Sequence, residues 1–256
     1  MGRACDAQAR AARLTVVRRV HLATIREGTF RAPDEVAHYL RDVLRLAGGE
    51  QIVVFGGGFE AACVLGVGAD ALVTLTIGAP RKKPARRPVT LLYALAKGDK
   101  VDAVVRDATE LGVTRVLLFA AERSVVKLVD DRAQKRTERW EKIAEEASRQ
   151  SGRADPPAIA GPLPFAEALT IVQDTYKWLL HPAAPMPLGD GLRAALVTPE
   201  GVAFAVGPEG GFSPQEIALA GSHGFVAASF GTTTLRTETV PAAILGALAV
   251  LEGSET

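Results

Sequence analysis

The sequence has 256 residues, of which 48% are hydrophobic and 23% are charged, and its formal net charge is +1. The hydrophobic fraction is large enough for a buried core and excludes global disorder, and the length favours two domains over one. No uninterrupted apolar run approaches the ~20 residues that a membrane span needs, and no secretory signal is visible, so we expect a cytoplasmic protein with no membrane partner.

The charged residues are unevenly distributed along the chain. Residues 1–90 carry 14 Lys and Arg against 8 Asp and Glu, whereas residues 91–256 carry 16 against 21. A basic first third is typical of a segment that meets a polyanion, but arginines that only keep the chain in solution would give the same balance.

The first predicted elements are one helix and three strands. Residues 33–46 place apolar side chains at the spacing of one helical face, with Pro33 and Asp34 suited to the helix start and Gly48-Gly49 to its end. These apolar residues are Val36, Tyr39, Leu40, Val43 and Leu44. The segments QIVVF, AACVL and ALVTLTI follow, separated by glycines, and predict a small antiparallel sheet or barrel.

Gly56, Gly58 and Ala61 match a dinucleotide-binding fingerprint that follows a predicted strand. That fingerprint requires a helix to begin at once, whereas the run Cys63-Val64-Leu65 and the glycines after it disfavour a helix. We therefore predict that these glycines form a hairpin between two strands.

The best candidate for a domain boundary is the segment GAPRKKPARRP, because its three prolines and five basic residues disfavour a helix or a central strand. We predict a first domain at residues 18–80, a basic linker at residues 81–88 and a second domain at residues 89–256. Residues 1–17 are predicted to be a disordered extension.

After Pro88, predicted strands alternate with predicted helices. The segments VTLLYAL, RVLLFA, WLLH, VAFAVG and FVAASF are predicted as strands. Helices are predicted after KGDK with Gly112 at the C′ position, around Arg136–Arg149, from Ser213, and in the apolar segment up to Leu251. Strands separated by helices indicate an α/β fold, in which helices cover both faces of a parallel sheet.

Two loops that follow predicted strands are candidate ligand loops, because ligands of open α/β sheets bind at the carboxyl ends of strands. The loop GPEGGF, Gly207–Phe212, runs into Ser213-Pro214-Gln215-Glu216, which is a capping-box helix start. The loop GTTTLRTET, Gly231–Thr239, places Arg236 and Glu238 among threonines. An ordinary turn would explain one or two of the glycines, and an N-cap would explain one threonine.

Other patterns have simpler explanations. The run RQSGR, Arg149–Arg153, ends a predicted helix, where arginines often only complement the helix dipole. His38, Arg41 and Arg45 share one predicted helical face, which a solvated polar face would also explain. The two cysteines are too few for a disulfide framework, and neither they nor the histidines show metal-ligand spacing, so we expect no metal.

In this order, the motifs resemble the RsmE family of 16S ribosomal RNA (uracil-N3) methyltransferases. The resemblance covers Arg18–Leu251 and rests on HYLRDVLRLAGGEQI, KGDKVD, ATELGVTRV, ERSVVKL, RWEKIAEEASRQSGR, LLHP, GPEGGFSPQEI and LRTETVPAAI. It implies a PUA-like β-barrel domain followed by a SPOUT domain, which is an α/β fold tied in a trefoil knot. It also implies a homodimer that binds S-adenosylmethionine (SAM) in the knot and acts on 16S ribosomal RNA in the small ribosomal subunit.

The resemblance also implies the residues of the site. The cofactor would be bound by Leu180, His181, Gly207, Glu209, Gly210, Gly211, Phe230, Gly231, Leu235, Arg236 and Thr237. We expect Arg236 to stabilise negative charge on the uracil carbonyls, and Glu238 to act by positioning or by accepting the imide proton. The RNA would be bound by His38, Arg41, Arg45, Arg123 and Arg153, together with the basic linker.

The sequence departs from the family at one loop, and two other functions stay open. The family usually has Leu-Gly-Pro-Arg before LRTET, where this sequence has Phe230-Gly231-Thr232-Thr233 and no basic residue. A SPOUT-like enzyme that modifies transfer RNA would share both ligand loops. A non-catalytic RNA-binding protein of ribosome assembly would need only the basic domain, and the intact GPEGG and LRTET loops disfavour it.

Overall fold

The structure is a computed structural model, and it describes residues 18–68, 72–124 and 133–253. The chain divides into two compact units. The first unit extends to Pro84 and also includes Gly152–Asp155, and the second comprises Ala85–Ser151 and the chain from Pro156 onward. The extension predicted at residues 1–17 lies outside the described residues.

The first unit contains a mixed six-stranded sheet and one short helix. Its elements are β1 (Arg19–His21), β2 (Gly28–Arg31), α1 (Asp34–His38), β3 (Gln51–Gly56), β4 (Phe59–Val67), β5 (Val73–Ile77) and β6 (Arg81–Lys82). The strand order is β1-β3-β4-β5-β2, with β6 paired to β4. Only β1 and β3 pair in parallel, so the predicted antiparallel sheet is largely confirmed. Leu40, Ile52 and Val54 lie in its core.

The helix of the first unit ends earlier than predicted. After α1 the chain makes a π-helical turn over Tyr39–Val43, in which the Leu44 N–H donates to the Tyr39 carbonyl at 2.9 Å. This wider turn breaks the predicted 3.6-residue spacing, so Leu40 is buried while Val43 is 59% exposed. Arg45 then adopts a left-handed φ of 53°, and the helix end predicted at Gly48-Gly49 is wrong.

The glycines between β3 and β4 form the predicted hairpin. The two strands pair up to Gly56 and Phe59, which leaves Gly57 and Gly58 as the loop residues. Their φ angles of 60° and 78° are those of a type I′ turn, which needs positive φ at both central positions and therefore favours glycine. No helix follows this turn, so the dinucleotide-binding fingerprint is a coincidence.

The second unit is built on a six-stranded sheet in which every neighbouring pair is parallel. Its strands are β7 (Val89–Ala94), β8 (Arg115–Ala120), β9 (Ala158–Pro164), β10 (Tyr176–Leu180), β11 (Val202–Val206) and β12 (Val226–Ala228), in the order β12-β10-β11-β7-β8-β9. The predicted α/β fold with a parallel sheet is confirmed. The sequence did not predict β9, whose segment AIAGPLP contains a glycine and two prolines.

In the described part of the second unit, six helices cover both faces of the sheet. They are α2 (Lys100–Glu110), α3 (Ala133–Ser151), α4 (Phe165–Ile171), α5 (Leu188–Leu196), α6 (Pro214–Ser222) and α7 (Thr239–Gly253). On β7, Leu91 and Tyr93 pack in the core with α2, α3, α5 and α7, while Leu92 and Ala94 pack with α4 and α6. The sequence did not predict α4 or α5. None of the described helices combines the length and the apolar character that a membrane crossing requires.

Two helix ends of the second unit follow the predicted capping chemistry. At the end of α2, Gly112 has a φ of 100°, and the Val113 N–H donates to the Ala108 carbonyl at 3.0 Å, which is a Schellman motif. At the start of α6, the Ser213 N–H donates to Glu216 Oε2 at 2.8 Å and the Glu216 N–H donates to Ser213 Oγ at 3.3 Å. The predicted capping box is therefore confirmed.

Three of the basic residues of segment 81–88 are engaged in ion pairs within their own unit. In the first unit, Arg81 and Lys83 pair with Glu60 at 3.2 and 3.1 Å. In the second unit, Arg87 pairs with Glu252 at 2.8 Å. These cations neutralise carboxylates of the fold, which leaves less positive charge for a partner than the sequence alone indicates.

Candidate functional site

A pocket in the second unit lies at the carboxyl ends of three neighbouring strands, β11, β10 and β12. Its lining consists of Leu180, His181, Pro182, Val206, Gly207, Pro208, Glu209, Gly211, Phe212, Phe230, Thr233, Thr234, Leu235, Thr237 and Val240. The structure thus brings together most of the predicted cofactor residues. Gly210, Gly231 and Arg236 belong to the same loops but do not line the pocket. The lining residues that the sequence missed lie within three positions of predicted ones, so membership of the same loops was the signal that would have found them.

The GPEGG loop, residues 207–211, leaves β11 with its backbone packed tightly against neighbouring side chains. A Cβ on Gly207 would lie 3.0 Å from the ring of Phe212, and one on Gly210 would lie 3.1 Å from the Cβ of Arg123. Gly211 has a φ of 68°, and its N–H donates to the Pro208 carbonyl at 2.8 Å. The glycines therefore permit both the turn and the close approach of the backbone to the pocket.

The LRTET loop, residues 235–239, leads from β12 into α7. The Arg236 carbonyl accepts hydrogen bonds from the Thr239 N–H at 2.9 Å and from the Val240 N–H at 3.3 Å, so its backbone is tied to the first turn of α7. The Arg236 side chain is exposed and makes no hydrogen bond or ion pair with other described residues. Its guanidinium is therefore available to a ligand.

The loop after β10 contributes His181. Its backbone N–H donates to the Ala228 carbonyl at 3.0 Å, which extends the pairing of β10 with β12. Its Nδ1 accepts a hydrogen bond from the Ala183 N–H at 3.2 Å. Because Nδ1 acts as an acceptor, the proton of the neutral ring lies on Nε2, which can donate to a ligand in the pocket.

A buried tyrosine supports the second loop from the core of the unit. The Tyr93 hydroxyl lies 3.5 Å from Thr237 Oγ1, and Thr237 Oγ1 lies 3.3 Å from Glu238 Oε2. Burial raises the pKa of the Tyr93 hydroxyl above its usual value, so this group stays protonated and donates.

Lys100, the first residue of α2, joins the two ligand loops. Its Nζ lies 2.7 Å from Glu209 Oε1 in the GPEGG loop and 3.3 Å from Glu238 Oε2 in the LRTET loop. The hydrogen bond from Lys100 lowers the pKa of the Glu209 carboxyl, and in return the Glu209 carboxylate raises the pKa of Lys100. No role was predicted for Lys100, although it lies in the KGDKVD motif, because its two partners are distant in the chain.

The environment of Glu238 weakens one of its two predicted roles. A backbone hydrogen bond is the largest cause that lowers the pKa of the Glu238 carboxyl, and the bond from Lys100 acts in the same direction. A carboxylate with a lowered pKa is a poorer proton acceptor than a free one. The geometry therefore favours positioning over proton acceptance for this residue.

Of the predicted RNA-binding residues in the first unit, two share one carboxylate. Asp42 Oδ2 lies 2.7 Å from His38 Nδ1 and 2.8 Å from Arg41 Nη2. The hydrogen bond from Arg41 lowers the pKa of Asp42 to about 2. Arg45 follows the π-helical turn, so it does not share a helical face with the other two as predicted.

The two remaining arginines occupy different surroundings. Arg123 is exposed, and its NH1 donates to the Gly210 carbonyl at 3.0 Å, so it supports the GPEGG loop. Arg153 is only 6% exposed, and its Nε donates to the Asp155 carbonyl at 3.0 Å. The RNA contact predicted for Arg153 is therefore wrong, because burial keeps this side chain from the surface. As for metals, no group of three or more His, Cys, Asp or Glu in the described ranges could hold an ion.

Known proteins resemble this chain over most of its length. Residues 82–249 match the RNA methyltransferase domain family. The chain is 35% identical to ribosomal RNA small subunit methyltransferase E of Bacillus subtilis over 230 residues, which cover 86% of this chain and 89% of that protein. It is 33% identical to the protein of the same name from Mycobacterium bovis over 216 residues, which cover 82% of this chain and 81% of the relative.

Solved structures are similar to this fold over most of the chain. A ribosomal RNA small subunit methyltransferase E from Neisseria gonorrhoeae, bound to S-adenosyl methionine, has a TM-score of 0.80 and 30% identity, with 92% of this chain and 98% of that chain covered. A Legionella pneumophila protein described as a putative methyltransferase in complex with SAM has a TM-score of 0.81 and 28% identity, with the same coverage.

Proposed function

Because this chain belongs to the ribosomal RNA small subunit methyltransferase E family, it is a SAM-dependent ribosomal RNA methyltransferase, and we propose that it methylates N3 of a uridine in 16S ribosomal RNA of the small subunit. The observation that carries this proposal is the pocket between the GPEGG and LRTET loops at neighbouring strand ends. We propose a cytoplasmic location, because the proposed substrate is ribosomal. The exposed residues Thr232 and Thr233 stand where the family usually has Pro-Arg. Arg236 is therefore the single arginine of the loop Gly231–Thr239.

We place SAM in this pocket. The lining combines apolar side chains, among them Leu180, Phe230 and Leu235, with the backbone of a glycine loop, which suits a ligand with an adenine ring and a polar amino-acid end. The close contact of Gly207 with the Phe212 ring supports SAM binding here, because a side chain at Gly207 would collide with that ring at the pocket wall. When bound, SAM supplies an electrophilic methyl group carried on a sulfonium.

We propose that Arg236 stabilises the reacting uracil. N3 of uracil carries an imide proton, and its loss leaves negative charge on the neighbouring carbonyl oxygens. An exposed guanidinium without a partner among the described residues, on a backbone that is bonded to α7, is suited to stabilise that charge. We assign Glu238 a positioning role, because Lys100 and a backbone N–H already bind its carboxylate.

For the RNA, we propose contacts with His38, Arg41 and Arg45 in the first unit and with Arg123 in the second. All four side chains are exposed or partly exposed. Phosphate contacts by such cations release counterions, so the affinity for small-subunit RNA should fall steeply as salt rises. An affinity that barely changed between low and moderate salt would contradict these contacts.

We propose a homodimer formed through α7. The buried face of this helix carries Ile244, Leu245 and Leu248, while the opposite face carries small or apolar residues and no charge. The residues of that opposite face are Ala242, Ala243, Gly246, Ala249 and Val250. A helix with two opposite apolar faces is normally buried on both sides, and a second copy of the chain is the occupant that the family resemblance favours.

We propose further that the first unit is the PUA-like domain and the second a knotted SPOUT domain. The parallel sheet with ligand loops at its carboxyl edge supports the second assignment. Ser229, which begins the last loop, donates to the Met186 carbonyl at 2.8 Å and accepts from the Leu188 N–H at 2.9 Å. These hydrogen bonds join the segment before α5 to the segment before α7, which supports the proposal that the two segments belong to one knotted region.

The test is methyl transfer from radiolabelled SAM to isolated small ribosomal subunits and to bulk transfer RNA, followed by nucleoside analysis. Label in 3-methyluridine from the small subunit is the expected result. Label in transfer RNA would move the target and support the SPOUT-like alternative. A protein that binds SAM but labels neither RNA, or that binds no SAM, would contradict the proposed reaction.

A further inference from the structure

The two ligand loops of the pocket are connected to each other by one lysine. Glu209 and Glu238 belong to loops that follow different strands, and both carboxylates approach Nζ of Lys100, at 2.7 and 3.3 Å. Among the described residues, no other cationic side chain pairs with either carboxylate. Without this ammonium, two negative charges would face each other at the edge of the pocket and repel.

The position of this ammonium is fixed by the fold. Lys100 begins α2, whose Val101, Val104 and Val105 are buried in the core of the second unit. The partly buried Lys100 side chain extends from that anchored backbone towards the loops and is 36% exposed. By contrast, Lys97, three residues earlier in the same motif, is exposed and makes no ion pair with the described residues.

We propose that Lys100 is a positioning residue that holds the GPEGG and LRTET loops together in the arrangement that binds SAM. This inference rests on the proposed SAM pocket, since it states what keeps that pocket assembled. An exposed ion pair alone adds little to the stability of a fold. Here one cation restrains two loops that follow different strands, so we expect the effect of its removal to fall on ligand affinity and to leave the core of the unit unchanged.

The experiment compares SAM affinity, measured by calorimetry, for wild type, Lys100→Met, Lys100→Arg and the control Lys97→Met. Methionine keeps most of the volume of lysine and removes the charge. We expect Lys100→Met to bind SAM about three- to tenfold more weakly, Lys100→Arg to recover most of the affinity, and Lys97→Met to match wild type. Equal affinities for the two methionine variants would overturn the proposal.

A double-mutant cycle separates loop restraint from any other effect of the lysine. The change Lys100→Met is repeated in a Glu209→Gln, Glu238→Gln background, where there is no carboxylate for the lysine to bridge. We expect the loss in SAM affinity to shrink to less than about twofold in that background. The same loss in both backgrounds would show that Lys100 does not act through these carboxylates.

The controls distinguish a failure of this inference from a failure of the proposed pocket. Absence of SAM binding by the wild-type protein would contradict the pocket itself. SAM binding by the wild type with no response to Lys100→Met would overturn only the role of the lysine. Urea unfolding of each variant checks the fold, and if Lys100→Met unfolds, Lys100→Gln provides the same comparison.

Discussion

The Glu216 carboxylate accepts a hydrogen bond from the backbone N–H of Glu122 at 2.8 Å, although 94 positions separate the two residues. The other carboxylate oxygen of Glu216 closes the capping box with Ser213. One side chain, only 8% exposed, therefore satisfies backbone groups of two separate loops, the one after β8 and the one that leads into α6. Both loops adjoin the GPEGG segment, so Glu216 supports the backbone on which that part of the pocket is built.

We expect Glu216→Gln to destabilise the protein by about 1–3 kcal/mol, because an amide has only one acceptor oxygen and leaves one buried N–H unsatisfied. Urea unfolding followed by circular dichroism measures this loss. The control is Glu110→Gln, an exposed position at the end of α2, where we expect a change within about 0.5 kcal/mol. Equal stabilities for the two variants would refute the support that we assign to Glu216.

Gly207→Ala should weaken SAM binding by about tenfold, because the new Cβ forces the Phe212 ring into the pocket or shifts the loop. Calorimetric titration with SAM is the measurement. Gly221 in α6 offers a matched control, since a Cβ there would meet no atom within 4 Å. If Gly207→Ala and Gly221→Ala both bind SAM as wild type does, the pocket has been assigned to the wrong place.

Arg236→Ala should lower the rate of methyl transfer by about a hundredfold and leave SAM affinity within about threefold of wild type. The reason is that the guanidinium does not line the pocket, and in the proposed mechanism it stabilises charge on the uracil. Single-turnover assays on small subunits give the rate. Arg193→Ala, on the exposed side of α5, serves as the comparison. An unchanged rate in Arg236→Ala would rule out the catalytic role.

The pH dependence of SAM binding follows from the ion pairs of Lys100. In the folded protein the pKa values of Glu209 and Glu238 both lie below their usual 4.5, so both carboxylates are ionised above that pH. Their contribution is lost only as the pH falls through the lowered folded-state values. We therefore expect these two carboxylates to add no pH dependence to SAM affinity between about pH 8 and about pH 5 in the wild type.

In Lys100→Met the lowering contribution of the lysine is gone, so the loss of SAM affinity should begin at a higher pH than in wild type. Titrations of both proteins across the acid range measure the two onsets. Coincident onsets would show that the lysine does not influence the carboxylates.

Val250→Glu should convert the proposed dimer into a monomer. Val250 is 70% exposed in the single chain, so the isolated fold accommodates a charge there, whereas a dimer interface would bury it unpaired. Size-exclusion chromatography with light scattering reports the mass. Val226→Glu, at a 49% exposed position on β12, should retain the mass of the wild type. A wild-type protein that is already monomeric would contradict the dimer itself.

The sequence predicted those features that depend on nearby residues. The capping box of Ser213 and Glu216 and the C′ glycine at position 112 are set within a few residues of chain, and the structure confirms both. The alternation of strands and helices is also visible in short stretches of sequence, and it predicted the parallel sheet. The glycines and threonines that follow predicted strands identified the two ligand loops, and the resemblance in motif order indicated which ligand they would bind.

What the sequence missed depends on contacts between distant segments. The interaction of Lys100 with Glu209 spans 109 positions, and no local spacing indicates it. The residues of the π-helical turn after α1 would fit an ordinary helix equally well, so the exposure of Val43 could not be predicted from the sequence. Arg153 sits in a polar run typical of a surface, yet its guanidinium is buried against the Asp155 carbonyl.

The backbone of Arg236 is fastened to the first turn of α7, the helix whose outer face we assign to the partner chain. The backbone of Arg236 and the proposed association surface therefore belong to one structural element. A change in the orientation of that helix would move the arginine, and without a partner chain the outer face of α7 would be exposed to solvent. Specific activity per chain should consequently decline on dilution below the dissociation constant of the pair, with full recovery on reconcentration.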